Sequence, residues 1–136
     1  MARQTETIRQ THFIPAPPDE VYDAYVDPAR HAAFTGAAAS SDREVGGRFT
    51  AHADYISGEI LELVPGEKIV QAWTTTEWPE GAPPSRLEIR LASKDDGTEL
   101  TMVHSEVPAE QADSYRQGWI DHYWKPLQRY FSQAGA

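Results

Sequence analysis

The sequence has no cysteine among its 136 residues, which excludes disulfide bonds, thiol chemistry and zinc sites built on cysteine. It also has no apolar run near the roughly 20 residues that a membrane-spanning helix needs. Its first residues lack the basic-then-apolar layout of a signal peptide. Basic residues are few, 12 against 21 acidic ones, giving a formal net charge of −9. This charge disfavours binding to nucleic acid or to an anionic membrane. Because the sequence shows neither a membrane span nor a signal peptide, we expect a cytoplasmic protein.

The length fits one domain that spans residues 1–136 and is large enough for a real hydrophobic core. Hydrophobic periodicity and turn residues predict a strand, two short helices, a run of about six strands and a long C-terminal helix. The predicted strands are 5–14, 39–43, 48–53, 55–64, 68–76, 86–93 and 99–106. The first predicted helix opens at Pro17-Pro18 and breaks at Asp27-Pro28, and the others are 29–34 and 108–131.

The rest of the chain is organised around the stretch from Pro108 to Phe131, which holds two of the four Trp and three of the six Tyr. Apolar side chains recur there at helical spacing, at Trp119, Tyr123, Leu127 and Tyr130. A helix this aromatic on one side needs a large apolar partner, and the other elements are mostly strands. We therefore predict an α+β fold in which a curved antiparallel sheet of about six or seven strands grips the long helix, with two short helices beside it.

Three residues are expected to modify the long helix. Pro108 suits the first helical position, where its missing N–H has no cost. Pro126 predicts a kink within residues 122–125, or an ending followed by a short second helix. Gly118 lies mid-helix, where glycine costs about 1 kcal/mol relative to alanine, and its expected use is a close approach of the helix to the sheet.

A curved sheet that grips a helix leaves a gap between them, and this gap is the natural place for an apolar ligand pocket. We expect this pocket to be lined by the alternating apolar residues of strands 86–93 and 99–106, by a residue of strand 68–76 and by the long helix. These residues are Trp73, Leu87, Ile89, Leu91, Leu100, Met102, His104, Trp119 and Tyr123. Simple core packing explains the aromatic residues about as well. Trp78 lies in the Pro-rich loop 77–85, and three roles are open for it: a lid over the pocket, a contact for a partner, or packing against the domain's own edge.

No metal site or cofactor is expected, because no two of the five histidines have the close spacing of a metal-binding motif. His104 shares a strand face with Leu100 and Met102, and we favour a hydrogen-bonded core histidine over a catalytic base. Two glutamates lie mid-strand and are acid–base candidates if they face the interior. Glu59 fits either face of the sheet, whereas Glu88 fits the solvent face because Leu87 and Ile89 occupy the other one.

Several short motifs together resemble a known family. In chain order they are Val45-Gly46-Gly47-Arg48-Phe49, Tyr55-Ile56-Ser57-Gly58, Ile69-Val70-Gln71-Ala72-Trp73, Trp78-Pro79-Glu80-Gly81, Ser85-Arg86-Leu87, Val107-Pro108, Gln117-Gly118-Trp119 and His122-Tyr123-Trp124. Their order and spacing resemble the C-terminal-type domain of activators of the heat-shock protein 90 ATPase, within the START-like, helix-grip (SRPBCC) group. The resemblance covers nearly the whole chain and implies a helix-grip fold. The chain departs from the family pattern at Ala53-Asp54, where a glycine is expected nearer the strand.

Three functions remain open at this point. The resemblance favours a non-enzymatic module with an internal hydrophobic cavity for a small hydrophobic ligand. The alternative is a cyclase- or hydrolase-like enzyme that uses the same cavity, with His104 or Glu59 as the acid–base group. A third hypothesis, also taken from the resemblance, is a module that binds a heat-shock chaperone through its acidic surface and has a filled core.

Overall fold

The predicted sheet is present in the computed structural model, which describes residues 4–134 and their side chains as far as Ser132. In this range seven strands form one antiparallel sheet, in the spatial order β1-β7-β6-β5-β4-β3-β2. The strands are β1 (Thr5–Ile14), β2 (Ser40–Ser41), β3 (Arg48–Ala51), β4 (Ile56–Val64), β5 (Lys68–Thr75), β6 (Ser85–Lys94) and β7 (Gly97–Pro108). The predicted strands are confirmed, although β2 is shorter than 39–43 and β3 ends before residue 53.

Strands β2 to β7 form a meander in which each strand pairs with the next one along the chain. The first strand, β1, returns to the far edge and pairs with β7. The β6–β7 hairpin turns at Asp95-Asp96, with Lys94 opposite Gly97, as the sequence predicts. The expected alternation of apolar residues is also present, and its buried members are Leu87, Ile89, Leu91, Leu100, Met102 and His104.

Two short helices, α1 (Pro18–Val26) and α2 (Pro28–Thr35), follow β1. Asp27 separates them and begins α2, because its carboxylate accepts a hydrogen bond from the backbone N–H of Ala29 at 2.9 Å. Gly36 ends α2 in the left-handed conformation, with φ of 80°. Tyr25 and Phe34 are buried, so both helices pack against the core.

The C-terminal helix is made of several segments. A single 3₁₀ turn (Ala109–Gln111) leads into α3 (Ala112–Trp119), a π-helical turn (Ile120–Trp124) follows, and α4 (Lys125–Ala134) completes the helix. Pro108 is not the first helical residue, because it still pairs with Thr5 and ends β7. The fold is therefore α+β of the helix-grip type, with the long helix against a curved antiparallel sheet.

The π-helical turn explains how the helix accommodates Pro126. Proline has no N–H to donate to the carbonyl four residues earlier, and its ring crowds that turn. Here the N–H of Lys125 bonds to the carbonyl of Ile120, five residues back, which is the π-helical pattern. The irregularity lies where the sequence predicts a kink, and the helix continues as α4 beyond it.

Hydrogen bonds from Gln10 on β1 hold the long helix to the sheet edge. Its amide oxygen accepts from the indole N–H of Trp124 at 2.8 Å, and its amide nitrogen donates to the carbonyl of Arg116 at 2.8 Å. Trp124 has no exposed surface, so its N–H requires such a partner. No helix between residues 4 and 134 has both the length and the apolar character needed to cross a membrane.

The turn between β3 and β4 has an unusual backbone. His52, Ala53 and Asp54 all have positive φ, of 51°, 54° and 75°. The turn contains Ala53-Asp54, near which the family resemblance leads us to expect a glycine. Residues with a Cβ pay about 1–2 kcal/mol for the left-handed conformation, so this turn stores strain.

Replacing Ala53 with glycine should relieve part of this strain. We expect Ala53→Gly to raise the free energy of unfolding by about 0.5–1 kcal/mol, since the left-handed cost removed exceeds the added chain entropy of glycine. Urea denaturation measures the change. Ala92→Gly is the matched control, because Ala92 is an exposed residue within β6 and should lose stability instead. Destabilisation by Ala53→Gly would contradict the positive φ.

Candidate functional site

A cluster of aromatic rings lies between β5 and the C-terminal helix. Trp73, on β5, has its ring centroid 5.7 Å from that of Trp119 and 5.2 Å from that of Tyr115. Trp119 in turn lies 4.7 Å from Tyr123. These distances are typical of packed aromatic pairs, so the rings form a continuous wall rather than separate contacts.

This wall borders a pocket of about 190 Å³, which we call the aromatic pocket. Its lining comes from the β3–β4 turn, β4, β5 and the C-terminal helix. The lining residues are His52, Tyr55, Ile56, Trp73, Tyr115, Gly118, Trp119, His122 and Tyr123. The pocket is thus mostly aromatic, with two imidazoles on its wall.

Gly118 lines this pocket and does not bring the helix close to the sheet. A Cβ placed there would meet only the Cδ2 atom of His122, at 4.0 Å. The expectation of a close approach is therefore wrong. The missing side chain instead leaves space in the pocket, at the known cost of glycine in a helix.

Of the nine predicted lining residues, Trp73, Trp119 and Tyr123 border the aromatic pocket. The other six are buried in the core and are absent from its lining: Leu87, Ile89, Leu91, Leu100, Met102 and His104. The reason is that β6 and β7 also pack against α1, which helps to fill the space over that half of the sheet. The gap opens instead over β4 and β5.

The prediction included Trp119 and Tyr123 but missed three other pocket residues of the helix, which are Tyr115, Gly118 and His122. Tyr115, Gly118, Trp119, His122 and Tyr123 follow the spacing i, i+3, i+4, i+7 and i+8, which defines one helical face. That spacing is visible in the sequence. His52 and Tyr55 gave no comparable signal, because a turn with three left-handed residues and no glycine is not predicted from its sequence.

His104 is a fully hydrogen-bonded core histidine. Its Nδ1 accepts from the indole N–H of Trp119 at 3.1 Å. Its Nε2 lies 2.7 Å from the hydroxyl of Ser85, which itself donates to the carbonyl of Trp73 at 2.8 Å. Nε2 must therefore carry the proton, which makes the ring neutral. Burial lowers the pKa of His104 to about 3 and maintains this form.

His31, on α2, also uses both ring nitrogens in hydrogen bonds, and we call His31 and His104 the saturated histidines. Its Nδ1 lies 2.9 Å from the carbonyl of Tyr25, which can only accept, so this nitrogen donates. Its Nε2 then accepts from the hydroxyl of Tyr123 at 3.0 Å. Burial, as the main cause, lowers the pKa of His31 to about 4. This contact ties α2 to the wall of the aromatic pocket.

Neither glutamate candidate faces the interior. Glu59 is exposed on β4, on the solvent side of the sheet. Glu88 is mostly covered, but by Arg90 and Arg86, whose guanidinium groups pair with its carboxylate. The hydrogen bond from Arg90 is the main reason that the pKa of Glu88 is lowered, so this carboxylate stays ionised.

Trp78 packs against the edge of its own domain. Its ring is stacked on Tyr115 with centroids 6.1 Å apart, and it meets Trp73 edge-to-face. Its indole N–H donates to the carbonyl of Pro83 at 3.0 Å, which closes the Pro-rich loop on itself. Trp78 is absent from the lining of the aromatic pocket.

Within residues 4–134 no group of three or more His, Asp or Glu side chains is placed to hold a metal ion. A second, much smaller cavity of about 20 Å³ lies between α1, α2 and strands β2 to β5. Gln71 lines it, and its Oε1 is buried without a hydrogen-bond partner. The volume suits a single water molecule, which would satisfy this oxygen.

The two saturated histidines make stability depend on pH. Each has a folded-state pKa below the unfolded value of 6.5, so the stabilisation is complete above pH 6.5 and is lost as the pH falls toward the folded pKa. Between pH 7 and pH 5 we expect His31 and His104 each to remove about 2 kcal/mol of unfolding free energy. Urea denaturation at several pH values measures this loss. In His104→Gln the loss of unfolding free energy between pH 7 and pH 5 should be about half as large. A loss equal to that of the native protein would contradict the assignment of His104 as a neutral core histidine.

Comparisons with known proteins agree with the fold and with the family resemblance. The family described as Activator of Hsp90 ATPase homolog 1-like protein matches residues 15–132. The chain is 31% identical over 125 residues to the Homo sapiens Activator of 90 kDa heat shock protein ATPase homolog 1, covering 92% of this chain and 36% of that protein. It is 27% identical over 131 residues to the Dictyostelium discoideum homolog, covering 94% of this chain and 33% of that protein. The chain thus spans about a third of the length of these relatives.

Solved structures share the architecture. An HSP90 activator from Plasmodium falciparum superposes with a TM-score of 0.85 at 24% identity, covering 93% of this chain and 96% of that one. A protein from Chromobacterium violaceum has a TM-score of 0.72 at 30% identity, covering 91% and 95%. The first likeness shows the fold alone, whereas the family match extends over most of the sequence. The chain belongs to the family of Activator of Hsp90 ATPase homolog 1-like proteins.

Proposed function

We propose that this domain is a non-enzymatic module that binds a small hydrophobic ligand in the aromatic pocket. The observation that carries this proposal is the pocket itself, of about 190 Å³, with Trp73, Tyr115, Trp119 and Tyr123 on its walls. A ligand that displaces water from such walls gains roughly 25 cal/mol for each Å² of apolar surface buried. An engineered cavity of about 150 Å³ holds benzene, so the available space suits a ligand of about one aromatic ring.

The two acid–base candidates that the sequence suggested, His104 and Glu59, lie away from the aromatic pocket, which removes the support they gave to an enzymatic role. His104 has both ring nitrogens engaged in the core and does not line the pocket. Glu59 lies on the solvent face of the sheet. A cyclase- or hydrolase-like reaction would need a titratable group at the bound ligand. Neither of these two residues supplies one, and the titratable groups that do line the pocket are His52 and His122.

Filling the pocket should abolish ligand binding without unfolding the protein. We expect p-xylene to bind the native protein with a Kd of about 1 mM or tighter. Calorimetry or the NMR signals of the indole N–H groups measure this binding. Gly118→Leu should remove this binding, because its side chain would enter the pocket, while the helix gains from replacing glycine. Loss of binding together with an equal or higher melting temperature excludes unfolding as the cause.

Gln117→Leu is the matched control for this experiment. Gln117 precedes Gly118 on α3, is exposed and lies outside the pocket, so this variant should bind p-xylene as the native protein does. The ligand-binding proposal fails if native protein and both variants bind p-xylene alike, or if none of them binds.

A chaperone partner is a second proposed function, and it rests on the named relatives and on surface charge. The human and Dictyostelium relatives are named as activators of the 90 kDa heat shock protein ATPase. This chain covers about a third of each, so their activity is not transferred by similarity alone. Its net charge of −9 would favour a basic surface on such a partner.

We expect the chain to bind a purified 90 kDa heat shock protein and to raise its rate of ATP hydrolysis. Because the proposed contact is electrostatic, the effect should weaken as the salt concentration increases from about 0.05 to 0.5 M. Gly118→Leu should act as the native protein does, since the substitution changes no charged residue. No binding at low salt would exclude this second function for the isolated chain.

A further inference from the structure

Four histidines surround the aromatic cluster, and they fall into two groups. His31 and His104 use both ring nitrogens in hydrogen bonds within the core. His52 and His122 both line the aromatic pocket, with ring centroids 5.9 Å apart and planes at 74°. Neither of these two rings forms a hydrogen bond with any residue in the range 4–134. The pocket wall therefore carries two imidazoles, one partly buried and one exposed, whose hydrogen-bonding capacity no described residue uses.

Other polar atoms of the same walls are already engaged. The hydroxyl of Tyr55 donates to Glu77 at 2.7 Å. The hydroxyl of Tyr115 lies 2.7 Å from that of Thr75. Tyr123 and Trp119 bond to the two saturated histidines. A ligand would thus meet apolar ring faces from these side chains and hydrogen-bonding groups from the histidine pair.

The backbone conformation of His52 supports a role for its side chain in ligand binding. Its φ of 51° begins the three-residue left-handed turn, which places the ring on the pocket wall. Tyr123 packs edge-to-face against the same ring, with centroids 5.3 Å apart. Strain of this kind persists where the surrounding structure holds it, and it is frequent at ligand-binding sites.

The charge of the pocket favours an uncharged ligand. Burial, and then the nearby His122, lower the pKa of His52, so this ring is neutral at pH 7.5. A neutral imidazole both donates and accepts, which matches a hydroxyl group. The carboxylate of Glu77, bonded to Tyr55, and the net charge of −9 both disfavour an anion. The size of the pocket limits the ligand to about one ring with small substituents.

We propose that the ligand of the aromatic pocket is a small uncharged phenol, whose ring packs against the tryptophan and tyrosine walls and whose hydroxyl bonds to His52 and His122. This inference rests on the ligand-binding function proposed above and adds the chemical class of the ligand. The histidine pair acts as the polar end of an otherwise apolar site and so determines which aromatic compounds are retained.

Three probes of one shape test the proposal at pH 7.5: p-cresol, p-xylene and p-toluate. The measured quantity is the ratio of the Kd values for p-cresol and p-xylene, in native protein and in the variant His52→Phe/His122→Phe. The substitutions keep the rings and remove their nitrogens, so a buried hydroxyl would lose its partners. The ratio should shift by about three- to tenfold in favour of p-xylene. His12→Phe is the control, since His12 lies against Trp124 outside the pocket, and it should leave the ratio unchanged.

The outcomes separate this inference from the function on which it rests. If p-xylene and p-cresol bind but the double variant leaves their ratio unchanged, the phenol assignment is wrong and the apolar pocket remains. If p-toluate binds more tightly than p-cresol, the uncharged class is wrong. If neither p-xylene nor p-cresol binds, both proposals fail. Should the double variant not fold, His122→Phe alone serves, because His122 is exposed and, unlike His52, has no positive φ. It should give a smaller shift of the ratio in the same direction.

Discussion

The contact of Trp119 with the sheet is the interaction on which the rest of the structure depends. Its ring packs against Trp73 and is stacked on Trp124, with centroids 5.7 and 5.4 Å apart. Its N–H donates to His104, whose other nitrogen bonds to Ser85. One side chain thereby joins the helix to strands β5, β6 and β7, through ring contacts and a chain of hydrogen bonds. A buried chain of this kind is costly when any member lacks its partner, so it fixes the helix in one position on the sheet.

This fixed position also explains why the pocket does not close. Collapse of the helix onto β4 and β5 would require Trp119 to leave His104, and Trp124 to leave Gln10 on β1. Both indole N–H groups would then be buried without partners. The missing side chain at Gly118 and the π-helical turn, which carries His122 and Tyr123, leave space on the remaining face. π-Helical turns are frequent at functional sites, and here the turn also accommodates Pro126.

The sequence predicts the fold well because its elements are strongly periodic and clearly separated. The alternation in β6 and β7, the Asp95-Asp96 turn and the stripe through Trp119 are local patterns, and each is confirmed. The pocket is less predictable, because its position depends on where opposing faces fail to meet. Leu87 and Met102 have the same apolar alternation as Trp73, yet the packing of α1 helps to fill the space above them. His52 reaches the pocket through three left-handed residues, a conformation that its sequence does not indicate.

The histidines around the aromatic cluster have two different roles: one pair stabilises the fold, and the other pair is available to a ligand. His31 and His104 hold α2, β6, β7 and the long helix together, so changes there act first on folding. His52 and His122 contribute no hydrogen bond within the described range, so the folded state keeps its contacts whether or not they are satisfied. The partial desolvation of His52, beside the exposed His122, is a cost without an internal return. A bound group that pairs with them recovers it, which is why the pocket should select its ligand by a polar atom although nearly all of its surface is apolar.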